Sequence, residues 1–318
     1  MKEIRKDYIL DRYVVISPKR KKRPNSHRID RDYKNVKCPF CPGNENLVPE
    51  IIKEVPEGNW QFRLLPNKFP ALEEDNLKMV EDSDLFSEYN SFGSHEILVE
   101  TPEHDKKFYQ IGRDKLETYL NILAERYRHL VDMEDISYVS IFKNRGPGAG
   151  ESIGHSHSQI VSSPVVPEHI STILDCSEKY FTENKSCPYC DILREELNRQ
   201  ERIILETDKF VVLSPFAPTQ PYESWILPKR HVSEMDEINN DEKKNLAKIL
   251  KKLLSKYNDL FGNFSYNLLF YSFPLEKYSH FHVIIRPKLK NFGGSEEFGL
   301  YINEISPEKA SSDLRIDI

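Results

Sequence analysis

The sequence predicts an α+β fold with a mainly antiparallel sheet, because one structural unit occurs twice along the chain. Each half contains, in the same order, a Cys-x-x-Cys pair, two apolar strands, one long helix, and a strand that ends in or leads to His-x-His. An internal repeat of this length outweighs any single motif. Successive strands with one long helix per copy are typical of an α+β fold. We expect two repeats, residues 1–165 and residues 166–318.

The first copy begins at Cys38 and Cys41 and ends on the strand that contains His155 and His157. Its central segment has apolar residues at every third or fourth position, the period of an amphipathic helix. The predicted elements are strands at 62–65 and 96–100, a helix across 116–130, a strand at 138–142 and a glycine-rich loop at 144–152.

The second copy begins at Cys187 and Cys190 and ends on the strand that contains His280 and His282. The predicted elements are strands at 210–213 and 223–227, a helix across 246–257, and strands at 266–270 and 281–285. This copy lacks the glycine-rich loop, and Ile284 stands where the first copy has Gln159. We therefore expect a degenerate repeat, in which His282 is a packed histidine rather than a catalyst.

Composition and charge argue against a nucleic-acid or membrane partner. The chain has 318 residues and a formal net charge of −6, which gives no support to general nucleic-acid binding. No apolar stretch approaches the length of a membrane span, and the N-terminus lacks the apolar core of a signal peptide. We expect a cytoplasmic protein, in which cysteines bind metal or do redox chemistry rather than form disulfides.

Four of the five cysteines lie in the two Cys-x-x-Cys pairs, and each pair has histidines downstream. Because the repeat puts matching residues in both halves, it predicts two closed Cys₂His₂ zinc sites with a structural role. The ligand sets are Cys38, Cys41, His104 and His155 in the first copy, and Cys187, Cys190, His231 and His280 in the second. The alternative is that the histidines are surface residues and the thiols are reduced and buried.

The segment from Gly154 to Val161 carries two histidines, His155 and His157, two positions apart on an apolar strand. Side chains alternate across a strand, so both imidazoles lie on one face. The preceding glycine-rich loop can bring backbone N–H groups close to phosphate oxygens. A phosphate-binding loop beside paired histidines indicates nucleotidyl or phosphoryl transfer through histidine.

Seven motifs lie between residues 17 and 159. They are Ser17-Pro18-x-Arg20-x-x-Arg23-Pro24, Cys38-x-x-Cys41-x-Gly43-Asn44, Asn67-x-Phe69-Pro70-Ala71-Leu72, Pro102-x-His104, Asn144-x-Gly146, Gly150-x-Ser152 and His155-x-His157-x-Gln159. With them the chain resembles the galactose-1-phosphate uridylyltransferase family, the transferase branch of the histidine-triad superfamily. In the residues of these motifs, the chain is most similar to ADP-glucose phosphorylase-like members. The resemblance implies a duplicated histidine-triad-like fold and a homodimer.

The resemblance also implies a role for individual residues. His157 would be the nucleophile beside the zinc ligand His155, and Gln159 would hydrogen-bond the transferred phosphoryl group. The implied substrate-binding residues are Arg20, Arg23, Phe40, Asn67, Phe69, Asn144, Gly150 and Ser152. Some family members use a glutamate for a second, different metal site. That position falls near Ile173 here, so a second Cys₂His₂ zinc site is the better fit. Cys176, His27, His95, His129 and His169 receive no role.

Gln159 distinguishes transfer from hydrolysis. The hydrolase branch of the superfamily has a third histidine at this place, which handles protons on the leaving group and the attacking water. A sugar 1-phosphate needs no proton to leave or attack, because its second pKa is about 6. A glutamine, which binds without delivering protons, therefore favours a transferase.

The sequence thus predicts a nucleotidyltransferase that works by ping-pong through a covalent nucleotidyl-histidine. Its partners would be a nucleotide sugar and a hexose 1-phosphate or phosphate. The leading expectation is UDP-glucose–hexose-1-phosphate (galactose-1-phosphate) uridylyltransferase activity. The alternatives are an ADP-glucose phosphorylase or hexose-1-phosphate adenylyltransferase, a histidine-triad-type nucleotide hydrolase, and a non-catalytic zinc-binding module.

Overall fold

A computed structural model describes residues 3–10, 13–16, 37–73, 76–83, 85, 87–274 and 277–317. Arg20 and Arg23 lie outside these residues, so their expected place near sugar phosphates stays a prediction. The strands are β1 Glu3–Lys6, β2 Tyr13–Ile16, β3 Lys53–Val55, β4 Phe62–Pro66, β5 Met79–Asp82, β6 Ser87–Tyr89, β7 Ser94–Val99, β8 Tyr138–Arg145, β9 His157–Ser163, β10 Ile203–Glu206, β11 Phe210–Leu213, β12 Ser224–Pro228, β13 Tyr266–Tyr271, β14 His282–Pro287 and β15 Tyr301–Asn303.

Ten of these strands form one antiparallel sheet that runs through both halves of the chain. Its order is β10-β11-β12-β14-β13-β8-β9-β7-β4-β3. The strand order is symmetric about the central pair β8 and β13, where Leu268 lies opposite Lys143 and Phe270 opposite Ile141. The repeat in the sequence therefore becomes a local two-fold relation within a single sheet, with β9 and β14 next to the central pair. These two strands begin at His157 and His282, so His155 and His280 precede the strands on which they were predicted.

The helices are α1 Arg113–Val131, α2 Glu168–Asn184, α3 Pro188–Arg199, α4 Asn240–Phe261, α5 Gly294–Glu297 and α6 Pro307–Leu314. Helix α4 begins with a reciprocal cap: Glu242 N–H donates to the Asn239 side chain, and Glu242 accepts from the Asn239 N–H. Its buried residues recur at three-and-four spacing from Leu246 to Tyr257. Helices α1 and α4 bury their apolar faces in one core with the sheet.

The α+β class and the antiparallel sheet are confirmed, and α1 and α4 are the predicted long helix of each repeat. The structure adds α2 and α3, which precede the strands of the second repeat and were not expected from the sequence. Strand β8 also extends to Arg145, so Asn144 lies on a strand and not in the loop. Among the described residues, no helix is long and apolar enough to cross a membrane.

Candidate functional site

Four side chains come together near the start of β9: those of the first Cys-x-x-Cys pair, His104 and His155. Cys41 Sγ lies 3.4 Å from His104 Nδ1, and Cys38 Sγ lies 3.5 Å from His155 Nδ1. The Nε2–H of His155 donates to the Thr101 carbonyl at 2.7 Å, which leaves the Nδ1 lone pair facing the thiols. Burial lowers the pKa of His155 to about 4, so this ring is neutral at pH 7. The four side chains could hold a metal ion.

The second repeat builds the same group from Cys187, Cys190, His231 and His280. Cys190 Sγ lies 3.5 Å from His231 Nδ1 and 3.7 Å from His280 Nδ1. Nε2–H of His280 donates to the Pro228 carbonyl at 3.0 Å, which repeats the arrangement of His155. The two groups differ locally, because the second pair lies at the start of helix α3, whereas the first pair lies in a loop.

His157 lies on the same face of the sheet as His155 and is almost fully buried. Its Nδ1–H donates to the His155 carbonyl at 2.8 Å, which fixes the tautomer and leaves the lone pair on Nε2. Burial lowers the pKa of His157, and the charge of Lys143 lowers it further. A neutral imidazole held in one tautomer can act as a nucleophile at phosphorus.

A buried polar network lies behind His157, on the opposite face of β9. Lys143 Nζ donates to Glu100 at 2.7 Å, to Ser156 Oγ at 3.0 Å and to the His157 carbonyl at 3.0 Å. Ser156 and Ser158 each donate to Glu100 at 2.6 Å, and Ser158 also contacts the Tyr119 hydroxyl. This network fixes the backbone on both sides of His157.

Replacing Lys143 by methionine should lower the free energy of unfolding by about 3–5 kcal/mol, because it leaves the Glu100 carboxylate buried without its cation. Neither side chain of the pair is exposed. Chemical denaturation of the wild type and the variant measures the loss. The matched control is Lys53→Met, which removes an exposed pair with Glu125 and should cost no more than about 1 kcal/mol. Equal stability of the Lys143 variant and the wild type would contradict the network's role.

The glycine-rich loop is stabilised by hydrogen bonds to its own Glu151 and by contacts with the second repeat. Glu151 accepts from Arg145 Nη1 at 2.7 Å and from the Gly146 N–H at 2.8 Å. Gly146 has φ +81°, and a Cβ there would lie 2.3 Å from Ser265 Oγ, so only glycine fits. Asn267 of β13 reaches the loop as well, donating to the carbonyl of Ala149 at 3.1 Å.

Asn267 also sets the orientation of Asn144, because its amide N–H donates to Asn144 Oδ1 at 2.8 Å. Asn144 Nδ2 then faces the loop, 3.8 Å from where a Cβ at Gly150 would lie. Ser152, two residues further, is exposed. The predicted phosphate-binding residues Asn144, Gly150 and Ser152 therefore line one loop that leads into β9.

The other predicted residues lie on the His157 face of the sheet or at its edge. Gln159 follows His157 on this face and contacts His95 Nε2 at 2.8 Å, and Asn67 Nδ2 lies 3.1 Å from the same atom. The Phe40 ring packs edge-on against His157 with centroids 5.4 Å apart. Phe69, on the loop after Asn67, has 82% of its surface exposed.

The second repeat has a histidine in the geometry of His157 but in different surroundings. His282 Nδ1–H donates to the His280 carbonyl at 2.8 Å. Tyr271 stacks on the ring at 4.8 Å, and Trp225 and Tyr189 pack around it. Burial lowers the pKa of His282 to about 3, so the ring is a neutral member of an aromatic cluster.

Sequence reasoning missed three contributors to the site: the Glu100–Lys143 pair, Asn267, and His95. The pair lies on the opposite face of the sheet from His157, and Asn267 comes from the other repeat. Each is brought to the site by strand pairing. The signal in the sequence is position alone: Lys143 directly precedes the glycine-rich loop, and His95 directly precedes the strand predicted at 96–100.

Comparison with known proteins gives the same result for both halves of the chain. Sequence models described as galactose-1-phosphate uridyl transferase, N-terminal domain and C-terminal domain, match residues 1–167 and 174–291. An ADP-glucose phosphorylase of Arabidopsis thaliana is 32% identical over 98% of this chain and 92% of its own length. A galactose-1-phosphate uridylyltransferase of Thermotoga maritima is also 32% identical, over 99% of this chain and 98% of its own.

Solved structures agree with these matches. A crystal structure of the Arabidopsis thaliana ADP-glucose phosphorylase with bound ADP-glucose superposes with a TM-score of 0.85 at 31% identity, and the alignment covers 100% of both chains. A uridylyltransferase structure superposes with a TM-score of 0.78 at 28% identity, over 99% of this chain and 98% of the other. The chain therefore belongs to the galactose-1-phosphate uridyl transferase family.

Proposed function

We propose that the protein is a nucleotidyltransferase that moves a nucleoside monophosphate between sugar phosphates through a covalent bond to His157. The observation that carries the proposal is the fixed tautomer of this histidine. Its Nδ1–H is held by the His155 carbonyl at 2.8 Å, so the Nε2 lone pair is available in a neutral, buried ring. The leading activity is transfer of UMP from UDP-glucose to a hexose 1-phosphate, with galactose 1-phosphate as the acceptor.

In the first half-reaction, the Nε2 lone pair of His157 attacks the α-phosphorus of the nucleotide sugar. The bond from that phosphorus to the bridging oxygen breaks, and its electrons leave with the sugar 1-phosphate. In the second half-reaction, a phosphate oxygen of the acceptor attacks the phosphorus and the P–N bond breaks. Neither step requires a proton for the phosphate groups, since a phosphate monoester is ionised near neutral pH.

The phosphate groups would be bound by Asn144, Ser152, Gln159 and the backbone N–H groups of the glycine-rich loop. N–H donors fixed in place before the reaction stabilise the charge that develops on the non-bridging oxygens, and one such donor is worth roughly 3–4 kcal/mol. Phe69 and Phe40 would line the base and ribose pocket with Asn67. Gln159 would favour transfer over hydrolysis because an amide holds the phosphoryl group without delivering a proton to water.

We further propose that both Cys₂His₂ groups bind zinc. A tetrahedral zinc with Zn–S near 2.3 Å and Zn–N near 2.0–2.1 Å requires a sulfur–nitrogen separation of about 3.6 Å. The four separations given above lie between 3.4 and 3.7 Å, which supports a closed site. The residues would hold the ion in a structural role.

The family resemblance also implies a homodimer. This stays a prediction, which sedimentation or light scattering can test.

An adenylyl enzyme is the second candidate, because the Arabidopsis ADP-glucose phosphorylase is as similar in sequence as the Thermotoga uridylyltransferase. In that case ADP-glucose would be the donor, and inorganic phosphate or a hexose 1-phosphate the acceptor. The chemistry at His157 would be the same. The two candidates differ in the base that Phe40, Asn67 and Phe69 accept.

Intact-mass spectrometry after mixing the protein separately with UDP-glucose and ADP-glucose tests the proposal and identifies the base. We expect an acid-labile mass gain of one UMP, which galactose 1-phosphate removes. A gain of one AMP, removed by phosphate, would instead establish the adenylyl activity. Loss of the adduct to water as fast as to either acceptor would indicate a hydrolase. No adduct with either donor would overturn the covalent mechanism.

A further inference from the structure

His95, on β7, lies between Gln159 and the loop that carries Asn67 and Phe69. It is half-buried, on the same face of the sheet as Gln159 and diagonal to it, since His95 pairs with Val161. The Ala71 backbone N–H points at His95 Nδ1 from 3.2 Å. A backbone N–H can only donate, so Nδ1 accepts and the ring proton is on Nε2. This tautomer follows from the backbone alone.

Among the contacts of the described residues, the acceptor for the Nε2–H of His95 is Gln159 Oε1 at 2.8 Å. The other neighbour, Asn67 Nδ2, is itself a donor, because Asn67 Oδ1 accepts the Phe69 N–H at 3.0 Å. Two donors facing one another do not bond, so the Gln159 oxygen receives the histidine proton. The Gln159 –NH₂ group is thereby turned away from His95.

An amide without such a partner can rotate by half a turn at little cost, and it then presents oxygen where it presented nitrogen. At a phosphoryl group the difference is decisive, because –NH₂ donates to an anionic oxygen and a carbonyl oxygen repels it. A residue that occupies the amide oxygen therefore decides which end of Gln159 faces the substrate. Asn267 makes the equivalent contact to Asn144 Oδ1 on the other side of the site.

We propose that His95 is a positioning residue that holds Gln159 with its –NH₂ group toward the transferred phosphoryl group. The inference rests on the proposed function, in which Gln159 contacts that group. His95 does not touch substrate in this role: it acts through the Gln159 amide, and Ala71 fixes its tautomer. Loss of one hydrogen bond to a charged group typically costs about 10–100-fold, so loss of the Gln159 orientation should have an effect of this size.

The test compares His95→Phe, which removes both hydrogen bonds, with His95→Gln, whose terminal –NH₂ can still donate to Gln159. We expect His95→Phe to slow single-turnover formation of the nucleotidyl-enzyme by about 10–100-fold while the donor Kd changes by less than about 3-fold. His95→Gln should recover at least about half of the decrease in the logarithm of this rate. His129→Phe, an exposed position on α1, is the matched control and should leave the rate unchanged.

A double-mutant cycle separates positioning from a structural effect. In a Gln159→Ala background, His95→Phe should have no further effect on the rate, because the group it orients is gone. A loss as large as in the wild-type background would overturn the proposal. The proposal would also be overturned if His95→Phe weakened donor binding as much as it slowed formation of the nucleotidyl-enzyme and His95→Gln recovered none of the loss.

The tautomer of His95 provides a readout that needs no activity. ¹⁵N shifts of the imidazole in the resting protein should show the proton on Nε2. A proton on Nδ1 would overturn the proposal whatever the protein does with nucleotides. If the wild type forms no adduct but His95 carries its proton on Nε2, the proposed function fails, while the hydrogen bond that orients Gln159 is retained.

Discussion

His157→Ala should abolish the covalent nucleotidyl-enzyme and lower turnover by roughly four to six orders of magnitude, the usual cost of losing a nucleophile. Neither neighbouring imidazole can take its place: His155 has its Nδ1 toward the thiols and its Nε2 on the Thr101 carbonyl, and His95 has its two ring nitrogens toward the Ala71 N–H and Gln159. The measurement is intact mass after mixing with donor, followed by steady-state turnover.

The chain contains its own control for this experiment. His282 has the same Nδ1–H bond to the carbonyl two residues earlier, but it lies in an aromatic cluster of the second repeat. We expect His282→Ala to lower the free energy of unfolding by about 2–4 kcal/mol, as for other large-to-small changes in a core. The variant should still form the adduct. Loss of the adduct in His282→Ala, or its persistence in His157→Ala, would contradict the assignment of the nucleophile.

The fold was largely predictable because the repeat fixes the order of the elements. Periodicity identifies α1, α4 and the apolar strands, since each buries one face or both. It does not reveal that the sheets join, because the pairing of β8 with β13 depends on backbone hydrogen bonds and not on a residue pattern. Helices α2 and α3 were not predicted because the repeat has no helix in its order of elements before the strand at 210–213, although Pro188 suits the first turn of a helix.

Part of the candidate site could likewise be predicted from the sequence, and part could not. The two candidate metal-binding groups could be predicted, since Cys-x-x-Cys pairs followed by histidines at repeated positions are typical of metal ligands. His95 could not, because a lone histidine in a strand carries no pattern of its own. Its place follows from two facts of the folded chain, the Ala71 N–H at one ring nitrogen and the Gln159 oxygen at the other.

Replacement of one cysteine in each candidate metal-binding group should separate the effect on activity from the effect on stability. Cys38→Ser and Cys187→Ser should each reduce bound zinc from two ions per chain to one, measured by elemental analysis. Each should lower the free energy of unfolding by about 3–5 kcal/mol, because metal binding contributes directly to folding. For a chain of this size the melting temperature falls by roughly 5–15 °C.

Activity should distinguish the two variants, because, among the described residues, the first candidate metal group is the one that contacts His157, the proposed nucleophile. His155 supplies Nδ1 to that group, and its carbonyl accepts the Nδ1–H of His157, so the ion would fix both the ring and the backbone that orient His157. We therefore expect Cys38→Ser to lower the rate of adduct formation by about 10–100-fold at temperatures where the protein is folded. In the second repeat the same chain of contacts ends at His282, which is packed among aromatic rings. Cys187→Ser should therefore be less stable and still active, and equal activity losses in both variants would show that the repeats share one cooperative unit instead.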